Sequence, residues 1–378
     1  MIFLLIVLSI FFGMNYFVYT RVANGLMMSE TLRRYLQICM LAFTLLFILG
    51  EVLSRQTDVF AAKMVLGFGS IWVGLVVMAF TFLLLADIGR IFLHSPMQRY
   101  WLTVSALILL AIAGGYSVYN VARFPRLKTI NIHMPHKSCL KGIFTIVQLS
   151  DLHLHNLCSR AWLEGIVEET NRQNPDLIVI TGDLVDSDIC KPPLGRASPS
   201  GGGVDFCSVL RRLSAKYGVF AVTGNHDFYA GIDTFMNVAK ESGITVIRNS
   251  NAQPADFIQL VGVDDDTAKR FGENGCDLAS ALKTPNVIDK GKLVILLSHQ
   301  PDIFDEAVKN GVNLQLSGHT HAGQIPPVDI LVQLNFKYPY GFYNNGNSYL
   351  YTTSGTGFWG PPMRLFSRCE IVKIVIEH

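Results

Sequence analysis

Residues 143–154 read IFTIVQLSDLHL, an apolar run that ends in a serine and is followed at once by Asp151 and His153. Apolar runs of this length, rich in Val and Ile, are typical of buried strands. On extended backbone, side chains two positions apart project to the same side. The stretch therefore predicts a buried strand that presents a carboxylate and an imidazole together at its end.

The same arrangement occurs four more times along the chain. Each further copy is an apolar run followed directly by side chains that can bind a metal ion. The copies are DLIVIT (176–181) before Gly182 and Asp183, VFAVT (219–223) before Gly224, Asn225, His226 and Asp227, KLVILLS (292–298) before His299, and LQLS (314–317) before Gly318, His319 and His321. Helical patterns at 159–173 and 301–310 lie between strands. Strands that alternate with helices predict an α/β fold with a layered sheet core, in which ligands gather beyond the carboxyl ends of the strands.

Seven of these side chains are candidate metal ligands: Asp151, His153, Asp183, Asn225, His299, His319 and His321. Oxygen and imidazole donors without thiolates favour Mn, Fe, Zn or Ni over Ca or Mg. Because a mononuclear catalytic zinc site uses about three protein ligands, seven donors predict two metal ions. Two such ions can clamp the attacking and leaving oxygens of a displacement at phosphorus. Glycines directly before three of the ligands predict close approach of the backbone to the site.

The ordered motifs are QLSDLHL, ITGDLVD, VTGNHDFY, LSHQPDIF, LQLSGHTHAGQI and SGTGFWGPPMRLF. In this order they resemble the motifs of the calcineurin-like metallophosphoesterases, and their wording is most similar to the membrane-associated bacterial branch of that family. The resemblance extends from about residue 143 to the C-terminus. It implies a four-layer αββα sandwich and a hydrolase, either a phosphodiesterase or a pyrophosphohydrolase.

The resemblance also implies a role for each motif residue. The metal ligands would be Asp151, His153 and His321 for the first ion, Asn225, His299 and His319 for the second, and Asp183 as the bridge between them. His226 would contact the phosphate and assist the leaving group, and Asp186 would orient it. Mn is the expected ion, with Fe, Zn or Ni as alternatives. One departure is Ala322, where the branch usually has Gly, and we expect it to matter little.

The N-terminal third of the chain has a different composition. Residues 1–122 contain only 11 of the chain's Lys, Arg, Asp and Glu side chains. A helix needs about 20 apolar residues to cross a bilayer, and four stretches are long enough: 1–19, 35–53, 64–86 and 101–121. The first lacks a positive n-region, which favours an uncleaved anchor over a signal peptide. We predict a four-helix transmembrane domain at 1–122, a linker at 123–142 and a phosphoesterase domain at 143–378.

The side of the membrane is harder to predict. Basic residues flank the four stretches five against five, so the positive-inside rule does not decide the orientation. The seven cysteines are odd in number and scattered without a CxxC, which argues against a disulfide framework. Free thiols favour a reducing compartment. We therefore expect a multi-pass protein of the bacterial inner (plasma) membrane, with the cytoplasmic side favoured for the catalytic domain.

The leading functional hypothesis is hydrolysis of a phosphate ester or anhydride in a lipid-bearing substrate at the bilayer. The resemblance adds one candidate substrate, UDP-2,3-diacylglucosamine of lipid A biosynthesis. One alternative is an extracytoplasmic phosphodiesterase that acts on phospholipid or cell-wall polymer. Another is a membrane sensor or scaffold without catalytic activity, against which the complete donor set argues. The net charge of +2 argues against a nuclease and against nucleic acid as a partner.

Several further features have ordinary explanations. His155 is expected to be solvated or to support a ligand, and the run 264–266, three aspartates, is expected to be a turn at a strand end. Arg364 either reaches the substrate or holds the C-terminal loop, and both hypotheses stay open. The insertion 191–203 is rich in Pro, Gly and Ser and predicts a mobile surface loop in preference to a flap.

Overall fold

The computed structural model describes residues 2–56, 60–135, 142–155, 158–187, 189–190 and 205–377. The chain divides into two compact units. The first, the helical unit, consists of Met1–Arg123, Gly323–Leu331 and Gly360–Ser367. The second, the sandwich unit, consists of Phe124–Ala322, Val332–Trp359 and Arg368–His378.

Four long helices make up most of the helical unit: α1 Ile2–Gly25, α2 Glu30–Gln56, α3 Phe60–Arg90 and α4 Pro96–Ala122. Among the described residues, three segments are long and apolar enough to cross a membrane, namely Glu30–Ser54, Ala61–Arg90 and Pro96–Ala122. The structure therefore supports three spans and not the four that the sequence predicted. Several side chains at the start of α1 are not among those that the structure describes, so the membrane span predicted for α1 stays a prediction.

A cluster of charged side chains links three of these helices inside the helical unit. Asp87 of α3 accepts from Arg21 of α1 at 2.5 Å and from Arg90 at 2.7 Å. Arg90 also donates to the hydroxyl of Thr103 in α4 at 2.8 Å. Charges in apolar surroundings are costly unless they are paired, so this cluster favours one arrangement of α1, α3 and α4.

Two segments from far along the chain complete the helical unit. Ile325 of the first segment and Met363 of the second are buried in one apolar cluster with Met78 of α3. Asn120 of α4 is buried, and its side-chain amide donates to the backbone carbonyl of Arg364 at 2.9 Å. These contacts explain why the two segments belong with the helices and not with the sandwich unit.

In the described part of the sandwich unit there are twelve strands: β1 Arg126–His133, β2 Ile143–Leu149, β3 Leu177–Thr181, β4 Val219–Val222, β5 Thr245–Val246, β6 Ser250–Ala255, β7 Ile258–Gly262, β8 Leu293–Leu297, β9 Leu314–Ser317, β10 Gly341–Asn345, β11 Ser348–Thr352 and β12 Glu370–Glu377. They form two six-stranded sheets, ordered β1-β12-β2-β3-β4-β5 and β10-β11-β9-β8-β7-β6. Strands β2, β3 and β4 are parallel, as are β7, β8 and β9. Both sheets are mixed, because β12 runs antiparallel to β2 and β10 antiparallel to β11.

Short helices follow along the rest of the chain: α5 Arg160–Arg172, α6 Phe206–Leu210, α7 Asn225–Ala230, α8 Ile232–Glu241, α9 Leu278–Ala281, α10 Phe304–Lys309 and α11 Val328–Asn335. Between the sheets, Ile146 of the first packs in one buried cluster with Ile295 of the second. On the outer face of the first sheet lie Leu163 of α5 and Phe235 of α8. Ala307 of α10 packs on the outer face of the second. The layers run helix, sheet, sheet, helix, which confirms the expected α/β sandwich.

Local signals account for most element boundaries. Ser159 caps α5, because its hydroxyl accepts from the backbone N–H of Trp162. The helix predicted at 301–310 is shorter, covering Phe304–Lys309. Within the predicted linker, β1 runs parallel to β12. An edge strand of this kind carries no metal-ligand motif, so sequence patterns do not reveal it.

Cys190 and Cys207 form a disulfide, with their Cα atoms 5.3 Å apart. The odd, scattered cysteines argued against a disulfide framework, and they gave no sign of this one bond. The two cysteines are separated by 17 positions, and the insertion 191–203 lies between them. That insertion lies outside the described residues. Cys39 and Cys276, among the described cysteines, are free thiols.

Candidate metal centre

All the predicted ligands lie at the carboxyl ends of central strands in the two sheets. Asp151 and His153 follow β2, Asp183 follows β3, Asn225 opens α7 after β4, His299 follows β8, and His319 and His321 follow β9. Parallel neighbouring strands end at the same sheet edge, so these loops meet there. The structure thus brings the five motifs together, and their assignment as one metal site stays a prediction.

One group of donors surrounds the ring of His321. Its Nε2 atom lies 3.1 Å from Nε2 of His153 and 3.4 Å from Oδ1 of Asp151. The donor atoms of these three buried residues all lie within 4.8 Å of one another. Two imidazole nitrogens this close, with a carboxylate oxygen beside them, fit donors that share one cation.

A second group surrounds the amide oxygen of Asn225. This Oδ1 atom lies 3.0 Å from Nδ1 of His319 and 3.2 Å from Nε2 of His299. The two ring nitrogens are 3.2 Å apart. Oδ2 of Asp183 lies 3.3 Å from Nε2 of His299 and 3.6 Å from Nε2 of His153. One oxygen of Asp183 therefore approaches both groups.

Hydrogen bonds on the far side of two rings fix which nitrogen is free to bind a metal. Nδ1 of His299 donates to the backbone carbonyl of Thr181 at 2.8 Å. Nδ1 of His153 lies 3.0 Å from Oδ1 of Asp186. A carbonyl or carboxylate partner holds the hydrogen on Nδ1, which leaves the lone pair on Nε2, and such partners are usual behind metal-bound histidines.

Asp186 also holds His226. The same Oδ1 atom lies 3.0 Å from Nδ1 of His226, whose ring centroid is 4.7 Å from that of His153. Burial acts to raise the pKa of Asp186, but its hydrogen bonds to His153 and His226 outweigh burial and hold that pKa well below its usual value. Because Nδ1 faces an ionised carboxylate, Nε2 is the atom of His226 that can meet a substrate.

The charges of the centre suit a divalent cation. Burial raises the pKa of Asp151, whereas the pKa of Asp183 lies well below its usual value because His299 outweighs the opposite effect of burial. Burial acts to lower the pKa of His299, but the Asp183 carboxylate outweighs burial and raises that pKa well above its usual value. Burial and the neighbouring His299 lower the pKa of His319 to about 4. Without a metal, a proton on His299 partly balances the carboxylates, and a cation would replace it.

Five of the ligands adopt backbone conformations that are rare for residues with a side chain. Their φ angles are positive: 52° at Asp151, 47° at His153, 51° at Asp183, 70° at His319 and 50° at His321. The left-handed region costs such residues about 1–2 kcal/mol each, and strain of this kind is concentrated at functional sites. The fold must therefore stabilise each of these turns from outside.

Two glycines explain how the loops pack so closely. A β-carbon at Gly224 would collide with the carboxylate of Asp183, and one at Gly318 would collide with the carboxylate of Asp151. The expectation of close backbone approach fits both positions. Ala322, the departure noted in the sequence, has a φ of 50° and lies in the left-handed region.

Asp227 is a functional residue for which the sequence provided a motif but no role. Its buried carboxylate accepts hydrogen bonds from the backbone N–H groups of Asp183 at 2.9 Å, Leu184 at 3.0 Å, Val185 at 3.1 Å and Gly224 at 2.8 Å. Burial and the neighbouring Asp183 raise the pKa of Asp227 to about 8, against the effect of these donors. Asp227 thus ties the loop after β3 to the loop after β4. Its position as the last residue of GNHD was the available signal.

The acidic run 264–266 forms a turn after β7. Asp264 pairs with Arg248 at 2.7 Å. The side chain of Asp265 accepts from the backbone N–H of Thr267 at 2.8 Å and caps a short 3-10 turn. Both contacts fit the ordinary explanation given for this run.

Arg364 is fully buried and lies in the helical unit. Its guanidinium donates to the hydroxyl of Ser367 at 3.0 Å, and its backbone N–H donates to the carbonyl of Ser117 at 3.1 Å. These contacts favour the hypothesis that Arg364 holds the C-terminal loop. His155 is half-buried, and its carbonyl accepts from the N–H of Cys158.

An α/β sandwich with oxygen and imidazole donors clustered at one sheet edge is the architecture of a metallohydrolase. A family model described as calcineurin-like phosphoesterase matches residues 144–323. A transmembrane protein with metallophosphoesterase domain from Danio rerio is 34% identical over 73% of this chain and 63% of its own length. An uncharacterized metallophosphoesterase from Campylobacter jejuni is 33% identical over 72% of this chain and 69% of its own length. Another, from Helicobacter pylori, is 32% identical over 75% of this chain and 73% of its own length.

The chain belongs to the calcineurin-like metallophosphoesterase family. Membership of this family indicates metal-dependent hydrolysis of phosphoesters. The chain spans less than two thirds of the zebrafish relative, so the activity of that whole protein is not transferred. The three apolar helices indicate that the chain is associated with a membrane.

Proposed function

We propose that the chain is a dinuclear phosphoesterase that hydrolyses a lipid-bearing phosphate ester or anhydride. The observation that carries this proposal is the position of Asp183. Its Oδ2 atom lies 3.3 Å from His299 and 3.6 Å from His153, each a member of a different donor group. A single bridging carboxylate between two such groups is what a pair of ions requires.

The two ions would be held by the ligands that the family motifs imply. Asp151, His153 and His321 would hold the first, Asn225, His299 and His319 would hold the second, and Asp183 would serve both. When bound, two divalent ions, with Mn as the first candidate, supply Lewis-acid activation and neutralise charge on the phosphate. Fe, Zn and Ni remain alternatives with the same donors.

His226 completes the reaction as the acid. Water adds to phosphorus and the P–O bond to the leaving group breaks. The leaving oxygen takes the proton from Nε2 of His226, and solvent removes the proton lost by water and returns one to His226. Asp186 holds the ring in position, with its Oδ1 atom 3.0 Å from Nδ1 of His226. General acid–base assistance of this type is worth about 10²–10⁴-fold in rate.

The membrane helices support an amphiphilic substrate, since a soluble substrate gives no reason to place the enzyme at a bilayer. UDP-2,3-diacylglucosamine is the specific candidate that the family resemblance supplies. It requires a catalytic domain on the cytoplasmic side.

The disulfide between Cys190 and Cys207 favours a second candidate. Disulfides persist in oxidising compartments and are rare in the cytosol. A sandwich unit outside the cytoplasm would act on phospholipid or on a cell-wall polymer. This candidate uses the same metal centre and the same acid.

The deciding experiment incubates purified, Mn-loaded full-length protein with total membrane lipid extract and, separately, with UDP-2,3-diacylglucosamine. Mass spectrometry identifies the products. Release of UMP supports the nucleotide candidate, and a new phosphorylated headgroup or diglyceride supports the extracytoplasmic one. If neither mixture yields a hydrolysed phosphoester while an activated soluble phosphodiester is cleaved, the lipid part of the proposal is wrong. If the soluble diester also survives with two metals bound, the sensor or scaffold alternative replaces the enzyme.

A further inference from the structure

Three large aromatic side chains stand beside the proposed acid. The ring centroid of His226 lies 5.4 Å from that of Tyr229 and 5.7 Å from that of Trp359. The ring of Phe271 lies 6.2 Å from that of Tyr229. We refer to Tyr229, Phe271 and Trp359 as the aromatic wall.

The aromatic wall is exposed to solvent although it is mostly apolar. Tyr229 is 51% exposed, and Phe271 and Trp359 are each 52% exposed. Phe228, the residue next to Tyr229, is only 1% exposed and stacks on Phe271 from the core side. The same short helix therefore places one ring in the core and the next ring at the surface beside the site.

Core packing does not account for this exposure. Burying a large apolar side chain stabilises a fold, and these three side chains, each about half exposed, forgo part of that stabilisation next to His226. Contiguous exposed apolar patches of this kind mark binding surfaces. Their location beside His226, and not elsewhere on the sandwich, indicates which part of a substrate they meet.

We propose that the aromatic wall is the subsite for the leaving group and that it selects leaving groups with a large apolar or aromatic portion. The inference rests on the proposed function, in which His226 protonates the leaving oxygen. Nδ1 of His226 is held by Asp186, so Nε2 faces that oxygen. The substituent on the oxygen then extends past the rings that adjoin His226.

The chemistry of the wall decides what it binds. Aromatic rings gain from contact with apolar chains and other rings. A hydroxylated or charged leaving group would lose hydration at this surface without gaining hydrogen bonds. The wall therefore discriminates by polarity on one side of the scissile bond and leaves the other side of the phosphate unaffected.

The test uses two methyl phosphodiesters whose leaving phenols have similar pKa values, 4-hexylphenyl methyl phosphate and 4-(2-hydroxyethyl)phenyl methyl phosphate. Full-length, Mn-loaded protein is compared with Trp359→Ala and Tyr229→Ala. Phe342→Ala is the matched control, because Phe342 is also an exposed ring of the sandwich unit but lies in β10. Trp359→Phe tests rescue by a conservative change.

We expect the parent to prefer the hexyl ester in kcat/KM. In each wall variant, kcat/KM for the hexyl ester should fall by at least about tenfold, a loss of about 1.4 kcal/mol of transition-state stabilisation. For the hydroxyethyl ester, kcat/KM should fall by less than about threefold, a loss of under about 0.7 kcal/mol. Phe342→Ala should match the parent, and Trp359→Phe should restore most of the preference. Equal losses for both esters, or no loss for either, would overturn the proposal.

Failure of the proposed function has a different outcome. If the metal-loaded parent hydrolyses neither ester, calorimetric titration of the same two esters still measures the preference. Tighter binding of the hexyl ester that disappears in Trp359→Ala supports the wall while the catalytic proposal fails. Binding without preference rejects the wall.

Discussion

The carboxylate of Asp227 accepts a hydrogen bond from the backbone N–H of Asp183 at 2.9 Å. Asp183 has a φ of 51°, in the region that L residues avoid. The buried carboxylate of Asp227 therefore helps to hold the strained turn that carries the proposed bridging ligand. It acts through Asp183 and not on the substrate, which makes it a positioning residue.

Replacing Asp227 should loosen the metal centre. In the parent, both carboxylate oxygens of Asp227 accept from backbone N–H groups. In Asp227→Asn, an NH2 group replaces one of these oxygens and leaves its N–H donors without an acceptor. Each unsatisfied buried group lowers the free energy of unfolding by about 1–3 kcal/mol. We expect a lower melting temperature, weaker metal binding and a loss of activity of about 10–100-fold, the usual cost of a lost supporting partner. Calorimetry with and without added metal measures the first two.

Asp233→Asn is the matched control, because Asp233 is exposed at the start of α8. It should change the free energy of unfolding by less than about 1 kcal/mol. Normal metal affinity in Asp227→Asn would show that the loops hold their conformation without this carboxylate.

Asp183→Asn tests the bridge. Because one oxygen of Asp183 approaches both donor groups, the change should lower bound metal from two ions towards one or none and reduce hydrolysis of an activated phosphodiester by more than the roughly 100-fold that a lost supporting partner costs. Elemental analysis and a chromogenic assay measure the two effects. Near-normal activity with two ions still bound would contradict the assignment.

His226→Ala tests the acid. The variant should keep both metals and lose rate by about 10²–10⁴-fold for poor leaving groups, with a smaller loss for good ones. A series of aryl phosphodiesters of increasing leaving-group pKa gives the slope. The same loss across the series would indicate phosphate binding and not proton transfer.

The disulfide predicts which cysteines react. In unreduced, denatured protein, a thiol reagent should label Cys39 and Cys276 and leave Cys190 and Cys207 unlabelled. Removing a disulfide that closes a loop of this length costs about 3 kcal/mol, so Cys190→Ala should unfold at lower denaturant. Cys276→Ala, at a free cysteine, serves as the control.

The same bond predicts the side of the membrane. Alkaline phosphatase fused after the last residue should be active, and a GFP fusion at the same point should be dark. Bright GFP with inactive phosphatase would place the sandwich unit in the cytoplasm, where the bond between Cys190 and Cys207 would be reduced.

Ala322→Gly should stabilise the chain. The left-handed conformation at Ala322 costs about 1–2 kcal/mol. Glycine removes this strain, but it loses more backbone entropy on folding, which offsets about half of the gain. We expect the free energy of unfolding to rise by about 0.5–1 kcal/mol. Ala215→Gly, at a position outside the left-handed region, should destabilise instead. A fall in stability for both variants would contradict the strain at Ala322.

The positions of the candidate ligands were predictable from the sequence, because each of these residues follows directly after an apolar strand. The strand that positions such a residue is also an apolar run that is easily recognised in the sequence. Asp151 and His299 can therefore be identified as candidates without any knowledge of the fold. The α/β sandwich was predictable for the same reason. In contrast, the role of Asp227 depends on backbone donors from a different loop, and no local pattern encodes those.

The disulfide and the composition of the helical unit were also beyond local patterns. Cys190 and Cys207 meet only because α6 returns the chain to the end of the loop that follows β3. Met363 and Ile325 look like ordinary loop residues in the sequence, and their partner Met78 lies more than 200 positions earlier. Spacing carries no information about such pairs.

The contact between Asn120 and Arg364 has a consequence for the order in which the protein is made. The helical unit needs 323–331 and 360–367, and these leave the ribosome long after α4 does. At about 5–20 residues per second, synthesis of the intervening chain takes on the order of ten seconds or more. Through that interval the inserted helices lack their final packing partners, so the membrane bundle is finished only when the sandwich has been synthesised almost to its last strand. A ribosome that stalls before residue 360 would thus leave an incomplete bundle that quality-control proteases can recognise.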